Sequence, residues 1–359
     1  MKNLFKLSSS LLILALYSGC TRISNLDLSS LDNATQILGR WERQNDCIPH
    51  DQFTGYYEKR FFTVGKKVMV QTNEVYSDVG CTQLKTLSFD YLTYTTPEGN
   101  LDEIKALNFT VHEGWVVAYD QYTLNIINNA LGNTTLLGMP FQVYNNTATM
   151  SGSFKINSSS NQFSVSYQHS DLTDPDIYDR VSQATELTET LGFYSTCSDA
   201  LDPSSDLSIR VMTDGKHLVV DSPRFTSHDS TCTGPELDNL SISQSSVIGT
   251  DGPILAGQLR VDATHLGTYL SWASNPPSDQ DMTNMCGAPL GYSIAANTGY
   301  DFSGICGQTN RGSLTYGALK PSSSGLSISI GDGGPETGAT PELRTHTTNI
   351  DLQKASWIP

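Results

Sequence analysis

The chain is 359 residues long and carries 37 acidic against 21 basic side chains, a formal net charge of −16 at neutral pH. A surface this acidic repels phosphate backbones and anionic headgroups, so nucleic acid is excluded as a partner and charge alone cannot hold the chain on a membrane. The length exceeds what one hydrophobic core comfortably organises, and two domains are expected.

Residues 1–6 include Lys2 and Lys6, residues 7–17 are a short, mostly apolar run, and Leu16-Tyr17-Ser18-Gly19-Cys20 closes it. The run is too short to span a bilayer as a helix, and no stop-transfer pattern comes after it. This stretch resembles the signal peptide and lipobox of a bacterial lipoprotein. The resemblance implies cleavage before Cys20 and acylation of its thiol and new amino group. Thr21 rather than Asp at the next position implies delivery to the outer membrane under the family's sorting rule. The plainer alternative is an ordinary secretion signal with an incidental cysteine. On the lipoprotein reading, residues 1–19 leave as signal, and the charge goes from −16 to −18 with the loss of Lys2 and Lys6. Residues 20–30 then form a lipidated tether, and acyl chains supply the attachment to the lipid bilayer that charge opposes.

Beyond the tether the chain repeats itself. Residues 31–38 can make one or two helical turns capped by Ser30 or Asp32, and residues 181–191 offer a counterpart near Ser182 and Glu186. Each leads into a Leu-Gly step and aromatics: Leu38-Gly39 then Trp41, and Leu191-Gly192 then Phe193-Tyr194. Gly65-Lys66-Lys67-Val68-Met69-Val70 lies between Cys47 and Cys81. It recurs as Gly215-Lys216-His217-Leu218-Val219-Val220 between Cys197 and Cys232. Further along, residues 107–112 match 259–265 with one extra residue, which sets His112 against His265. An ordered series at nearly constant offset argues for a duplicated unit. The expected domains are residues 31–173 and 183–332, with 174–182 as linker around Pro175 and 333–359 as a C-terminal extension. The end of that extension regains apolar residues, enough for an edge strand or for packing across the domain interface.

Six cysteines lie beyond Cys20, an even number in an exported chain, which points to three disulfides out of fifteen possible sets of pairings. The repeat selects Cys47–Cys81 and Cys197–Cys232 and leaves Cys286–Cys306.

Short alternating runs separated by Gly, Asn, Asp and Ser predict antiparallel all-β domains. Residues 110–120 read as a hairpin bending at Glu113-Gly114. Phe154-Lys155-Ile156 and Phe163-Ser164-Val165 flank a Ser/Asn turn, and no long stretch has the period of a helix layer. Gly39 two residues before Trp41, after a short helical turn, resembles the Gly-x-Trp step at the first strand of lipocalins. That resemblance implies a barrel closed at its bottom by Trp41, with Tyr194 in the same place in the second copy. Two tandem lipocalin-like barrels are therefore expected, with β-sandwiches as the alternative.

Chemistry is harder to find. His112 and His265 can be read as ligand contacts or zinc ligands beside a turn, but no local Cys/His spacing completes a metal site, and a hairpin histidine bonded to its neighbouring strand is the plainer reading. Asp78 and Asp229 read as turn residues in preference to calcium ligands. Ser227-His228-Asp229 are adjacent, and adjacent side chains do not converge as a triad. There is no nucleophile elbow, phosphate loop or paired-histidine zinc motif. The sequence predicts a non-enzymatic envelope lipoprotein without cofactor or metal that binds a small ligand, a glycan or an envelope protein. A hydrolase with a site assembled from distant residues and a purely structural or adhesive role are the alternatives.

Overall fold

The computed structural model describes residues 36–44, 47–95, 100–132, 134–167, 175–182, 187–199, 206–222, 224–225, 240–250, 259–333, 350–356 and 358. Cys20 and its tether, Cys232, and Ser227-His228-Asp229 lie outside these residues.

The first unit contains β1 (Gly39–Arg43), β2 (Ile48–Pro49), β3 (Tyr57–Val64), β4 (Val68–Tyr76), β5 (Leu84–Tyr94), β6 (Lys105–Ala118), β7 (Phe141–Tyr144), β8 (Ala148–Asn157), β9 (Gln162–Tyr167) and β10 (Asp176–Ser182). The second contains β11 (Gly192–Asp199), β12 (Asp206–Thr213), β13 (His217–Ser222), β14 (Arg224–Phe225), β15 (Ser241–Thr250), β16 (Leu259–Ser271), β17 (Gly299–Asp301), β18 (Leu314–Pro321), β19 (Gly325–Gly333) and β20 (Ile350–Lys354). In the first, the antiparallel order β1-β10-β9-β8-β6-β5-β4-β3 closes through β1–β3. In the second, β11-β20-β19-β18-β16-β15-β13-β12 closes through β11–β12, so each unit is an eight-stranded antiparallel barrel. Barrel, not sandwich, is the architecture, and strand-for-strand identity of the two orders matches the internal repeat.

Closure corrects the expected boundaries at two places. Residues 174–182, expected as linker, contain β10, which pairs Trp41 with Arg180 and Tyr178 with Phe163 and so completes the first barrel. Pro175 stands just ahead of the strand, where its missing N–H costs no ladder bond. The C-terminal extension likewise supplies β20, which fills the gap between β19 and β11. It is an interior stave and not an edge.

The Glu113-Gly114 hairpin is also corrected. β6 runs unbroken for 14 residues, pairing with β8 along its first half and with β7 along its second. It bends at a bulge where His112 is the extra residue between Tyr91↔Glu113 and Leu92↔Val111. β16 bends at the matching place, but there the extra residue is Leu266, between Ser245↔Gly267 and Ser246↔His265. A bulge inserts one residue and shifts the register beyond it, so His112 and His265 are not equivalent positions.

Two helices escaped the sequence reading. Residues Gln121–Leu131 form α1, capped by the Asp120 carboxylate on the Thr123 N–H and ended by Gly132 in the left-handed conformation. Asp279–Cys286 form α2, opened by a capping box between Ser278 and Asp281. Both begin after the long strands β6 and β16 and lie over the ends of their barrels. Leu124 and Ile127 of α1 pack on Phe53, Val75 and Val116, whereas Met282 of α2 packs on Leu270, Trp272 and Phe302.

The closed end of the first barrel is filled by Ile37, Trp41, Phe62, Phe154, Phe163 and Tyr178 among others. Gly39 starts β1 at φ +123°, a backbone angle side chains resist, and swings Trp41 inward. The indole N–H donates to Ile37 O at 2.9 Å, and the Arg180 guanidinium lies 4.2 Å over the ring. In the second barrel Gly192, at φ +142°, places Tyr194 in the same way, and its hydroxyl donates to Leu191 O at 3.1 Å. Tyr194 packs with Val211, Leu218, Leu259, Val261 and Leu319.

The two barrels pack wall to wall. Val68 and Val70 of β4, Phe89 and Tyr91 of β5, and Trp115 and Val117 of β6 turn outward and meet Leu191, Met212, Val219 and Tyr269 of the second barrel. Trp115 stacks on Phe193 at 5.2 Å, with the rings within 8° of parallel. The repeated Gly-Lys turns belong to this seam. A Cβ on Gly65 would stand 2.6 Å from Thr188 O, and one on Gly215 3.5 Å from Thr63 Cγ2. Each lysine reaches across: Lys66 Nζ is 3.2 Å from Glu189, and Lys216 Nζ is 2.6 Å from Glu74.

Candidate functional site

Alternation along β3, β4 and β5 sends Arg60, Gln71 and Asp90 into the first barrel, above the aromatic floor. β6 and β8 contribute Phe109, Val111, Ala148 and Met150, the end of β7 contributes Tyr144, and the β7–β8 connection contributes Asn146. Together they line a cavity of about 630 Å³ inside the barrel. This falls in the range of small-molecule sites, mostly apolar with a few placed polar groups. Beyond it, beneath α1, a smaller space of about 250 Å³ lies between His50, Glu58, Asn73, Thr86 and Val116.

The polar side chains of the cavity are held by identifiable partners. Arg60 Nη2 lies 2.6 Å from Glu58 Oε1, and Arg43 Nη2 lies 2.6 Å from Asp176 Oδ1. Burial works against the Arg60 cation, but Glu58 beside it more than restores its charge, and its pKa is raised. Glu58 is itself almost fully buried and also faces Arg43 at 3.9 Å and His50 at 3.6 Å. Asp90 differs. Its Oδ1 accepts from Tyr144 OH at 2.7 Å, and burial pushes its pKa up against that single bond. Gly114 makes the contact possible, because a Cβ there would stand 2.4 Å from the Tyr144 ring. Tyr144 is correspondingly pushed well above the ordinary phenol range by burial and by Asp90.

A second cluster of charge sits in the seam between the barrels. His217 Nδ1 lies 3.0 Å from Asp214 Oδ2, and Nε2 lies 2.7 Å from Glu74 Oε1. Asp214 also accepts from Thr72 Oγ1 at 2.6 Å and from the backbone N–H groups of Lys216 and His217. All of His217, Asp214, Glu74 and Thr72 are at most 1% exposed. Burial disfavours charge on each, but the ion pairs prevail: His217 is raised, and Glu74 and Asp214 are held far below the usual carboxylate range. The imidazole is thus doubly bonded and cationic, with neither nitrogen left to take a proton from a substrate or to bind a metal. The geometry joins two barrels and offers no reacting position.

The residues singled out in the sequence take structural places. Trp41 and Tyr194 are buried floor aromatics. His112 Nε2 lies 2.8 Å from Thr93 Oγ1 on the neighbouring strand, and His265 Nε2 lies 2.9 Å from Thr268 Oγ1 on its own. Burial lowers both pKa values, keeping the rings neutral. The structure brings neither histidine into the lining of the large cavity. Cys47–Cys81 and Cys286–Cys306 are bonded. Cys197 is a disulfide half, and its expected partner Cys232 lies outside the described residues. Asp78 is a turn residue, its carboxylate accepting from Thr82 N at 3.1 Å and Gln83 N at 2.7 Å. Asp229 is outside the described residues, and among them no group of side chains is arranged to hold a metal ion.

Sequence reasoning missed Arg60, Asp90 and Tyr144. The signal was present in Leu87-Ser88-Phe89-Asp90-Tyr91, which alternates cleanly, but the usual rule assigns its polar side to solvent. Here Phe89 and Tyr91 point to the other barrel and Asp90 points to the lumen.

Fold and site together define a double-barrel protein whose first barrel is half filled and open. No protein-family model matches the sequence, and no curated protein does.

Proposed function

We propose that the chain is a non-enzymatic lipoprotein of the cell envelope that binds a small amphipathic ligand within its first barrel. The observation that carries this reading is the unfilled lumen of about 630 Å³ above a solid aromatic floor. Interiors are normally close-packed, and a space this large with convergent polar groups is the common form of a ligand site. The second barrel serves as a fixed wall, its outer face covering Phe89, Tyr91 and Trp115. Cys20, acylated after signal removal, anchors the pair to the outer membrane. Among the described residues no helix is long and apolar enough to cross a membrane.

The test is displacement of a fluorescent lipid probe from the purified soluble domain by a panel of amphiphiles. The Ala148→Trp variant, which adds a large ring at the cavity wall, serves as control. Saturable binding in the wild type, lost in Ala148→Trp, is the expected result. Binding that survives the plug moves the ligand outside the barrel, and recognition of a glycan or envelope protein by surface loops becomes the leading role. Turnover of any panel member would overturn the non-enzymatic assignment.

A further inference from the structure

The charges around the first barrel's cavity do not cancel. Arg60 is matched by Glu58 at 2.6 Å, and Asp176 is matched by Arg43 at 2.6 Å. His50, beside Glu58, has its pKa lowered, chiefly by burial, and stays neutral. Gln71, Asn146 and Tyr144 bring no charge. One carboxylate remains, Asp90, whose partner is a phenol hydroxyl at 2.7 Å. It lines the cavity together with Tyr144, and Gly114 packs against both side chains. A half-buried anion served by one neutral donor is only partly compensated. A ligand cation placed there supplies the missing charge, and a ligand anion meets repulsion from Asp90 with no uncommitted guanidinium to offset it.

The wall beside Asp90 is apolar. Leu92, Phe109, Val111 and Met150 face the lumen, with Leu92 and Phe109 continuous with the filled floor below. The site therefore has a charged point at its wall and an oily trough beside it.

We propose that the cavity takes a cationic amphiphile, a protonated alkylamine in chemical class, with its ammonium group on the Asp90 carboxylate and its chain along Leu92, Phe109 and Met150. This rests on the ligand-binding reading of the barrel and narrows it to one class. Arg60 and Arg43 act against anionic competitors by being already paired: a fatty-acid carboxylate would have to displace Glu58 or Asp176 to reach them. The Tyr144 hydroxyl holds the carboxylate toward the cavity, and Gly114 gives the ring room to do so.

The test uses three probes of equal chain length, decylamine, decanol and decanoate, titrated calorimetrically at neutral pH into the wild-type soluble domain and Asp90→Asn. A charge-assisted hydrogen bond within a protein is worth roughly 10- to 100-fold in affinity. Decylamine should bind tightest to the wild type and lose about that factor in Asp90→Asn, whereas decanol should be unaffected. Asparagine keeps an acceptor for Tyr144, and retained decanol binding reports an intact barrel. Should Asp90→Asn fail to fold, Tyr144→Phe provides the second arm: it removes the donor that holds the carboxylate in place and favours its ionised form, so decylamine affinity should fall while decanol affinity holds, and an unchanged or higher amine affinity would overturn the assignment. Decanol or decanoate binding as tightly as decylamine, or an unchanged amine affinity in Asp90→Asn, refutes the cationic class but leaves the cavity's role standing. Failure of all three probes to bind removes both.

Discussion

Replacing His217 with alanine should loosen the joint between the barrels more than any other single truncation in the seam. The imidazolium is the shared partner of Glu74 at 2.7 Å and Asp214 at 3.0 Å, all three groups being at most 1% exposed. Removing it leaves two carboxylates in a low-dielectric seam without their shared cation, served by Lys216, Arg40, hydroxyl donors and, at Asp214, backbone N–H groups. Truncating one member of a buried ion pair costs about 3–5 kcal/mol, a large part of the roughly 5–15 kcal/mol that holds a domain folded. With a urea dependence of about 2 kcal/mol per molar, the unfolding midpoint should fall by about 2 M. Intrinsic fluorescence is the appropriate readout, because Trp115 stacks on Phe193 across the same seam. The pH dependence supplies an independent sign. His217 is raised above its ordinary 6.5, so its contribution is complete below that value and disappears as pH rises through the raised one. Glu74 and Asp214 are depressed from 4.5 and 3.8, so theirs is present above those values and lost as pH falls through the depressed ones. The wild type should therefore weaken on the alkaline side, and His217→Ala should lack that limb. A midpoint within about 0.3 M of wild type, together with an unchanged alkaline limb, would refute the assignment of His217 as the charged keystone.

The packing sets three further expectations. Gly138, at φ +71° with a hypothetical Cβ only 1.8 Å from the Tyr269 ring, should not accept alanine: Gly138→Ala should expose Tyr269 to solvent and raise amide exchange in the 136–139 loop, measurable by hydrogen-exchange mass spectrometry. Cys47→Ser with Cys81→Ser removes a bridge of separation 34 and should lower stability by about 4 kcal/mol on the loop-closure estimate, read from urea unfolding. Cys20→Ser should abolish incorporation of labelled palmitate and release the protein from the outer-membrane fraction; an unlabelled protein that stays fully bound would place the anchor elsewhere.

The duplicated barrels and their landmarks could be read in the chain because they depend on local rules. Gly39 and Gly192 turn the backbone where side chains cannot, Trp41 and Tyr194 come two residues later in each copy, and period-two runs with Gly and Asn turns specify antiparallel strands. The repeat by itself also paired Cys47 with Cys81. Helix α1 was legible in principle, from Asp120 as cap, Leu124, Ile127 and Leu131 at helical spacing and Gly132 as stop, but Asn125, Asn128 and Asn129 weaken its helix propensity.

What the sequence by itself could not decide is which side of each strand is inside. In Val68-Met69-Val70 both sides are apolar because Met69 fills the lumen while Val68 and Val70 meet the other barrel. In Leu87-Ser88-Phe89-Asp90-Tyr91 the apolar side faces outward to a partner and the polar side faces a cavity, the reverse of the ordinary rule. Strand periodicity dictates that neighbours alternate, but burial on either face depends on what the rest of the chain brings against it. The same holds for His217, Glu74 and Asp214. Glu74 and His217 lie 143 positions apart in the sequence, in different copies of the repeat, and only wall-to-wall packing of the barrels makes them one charged cluster.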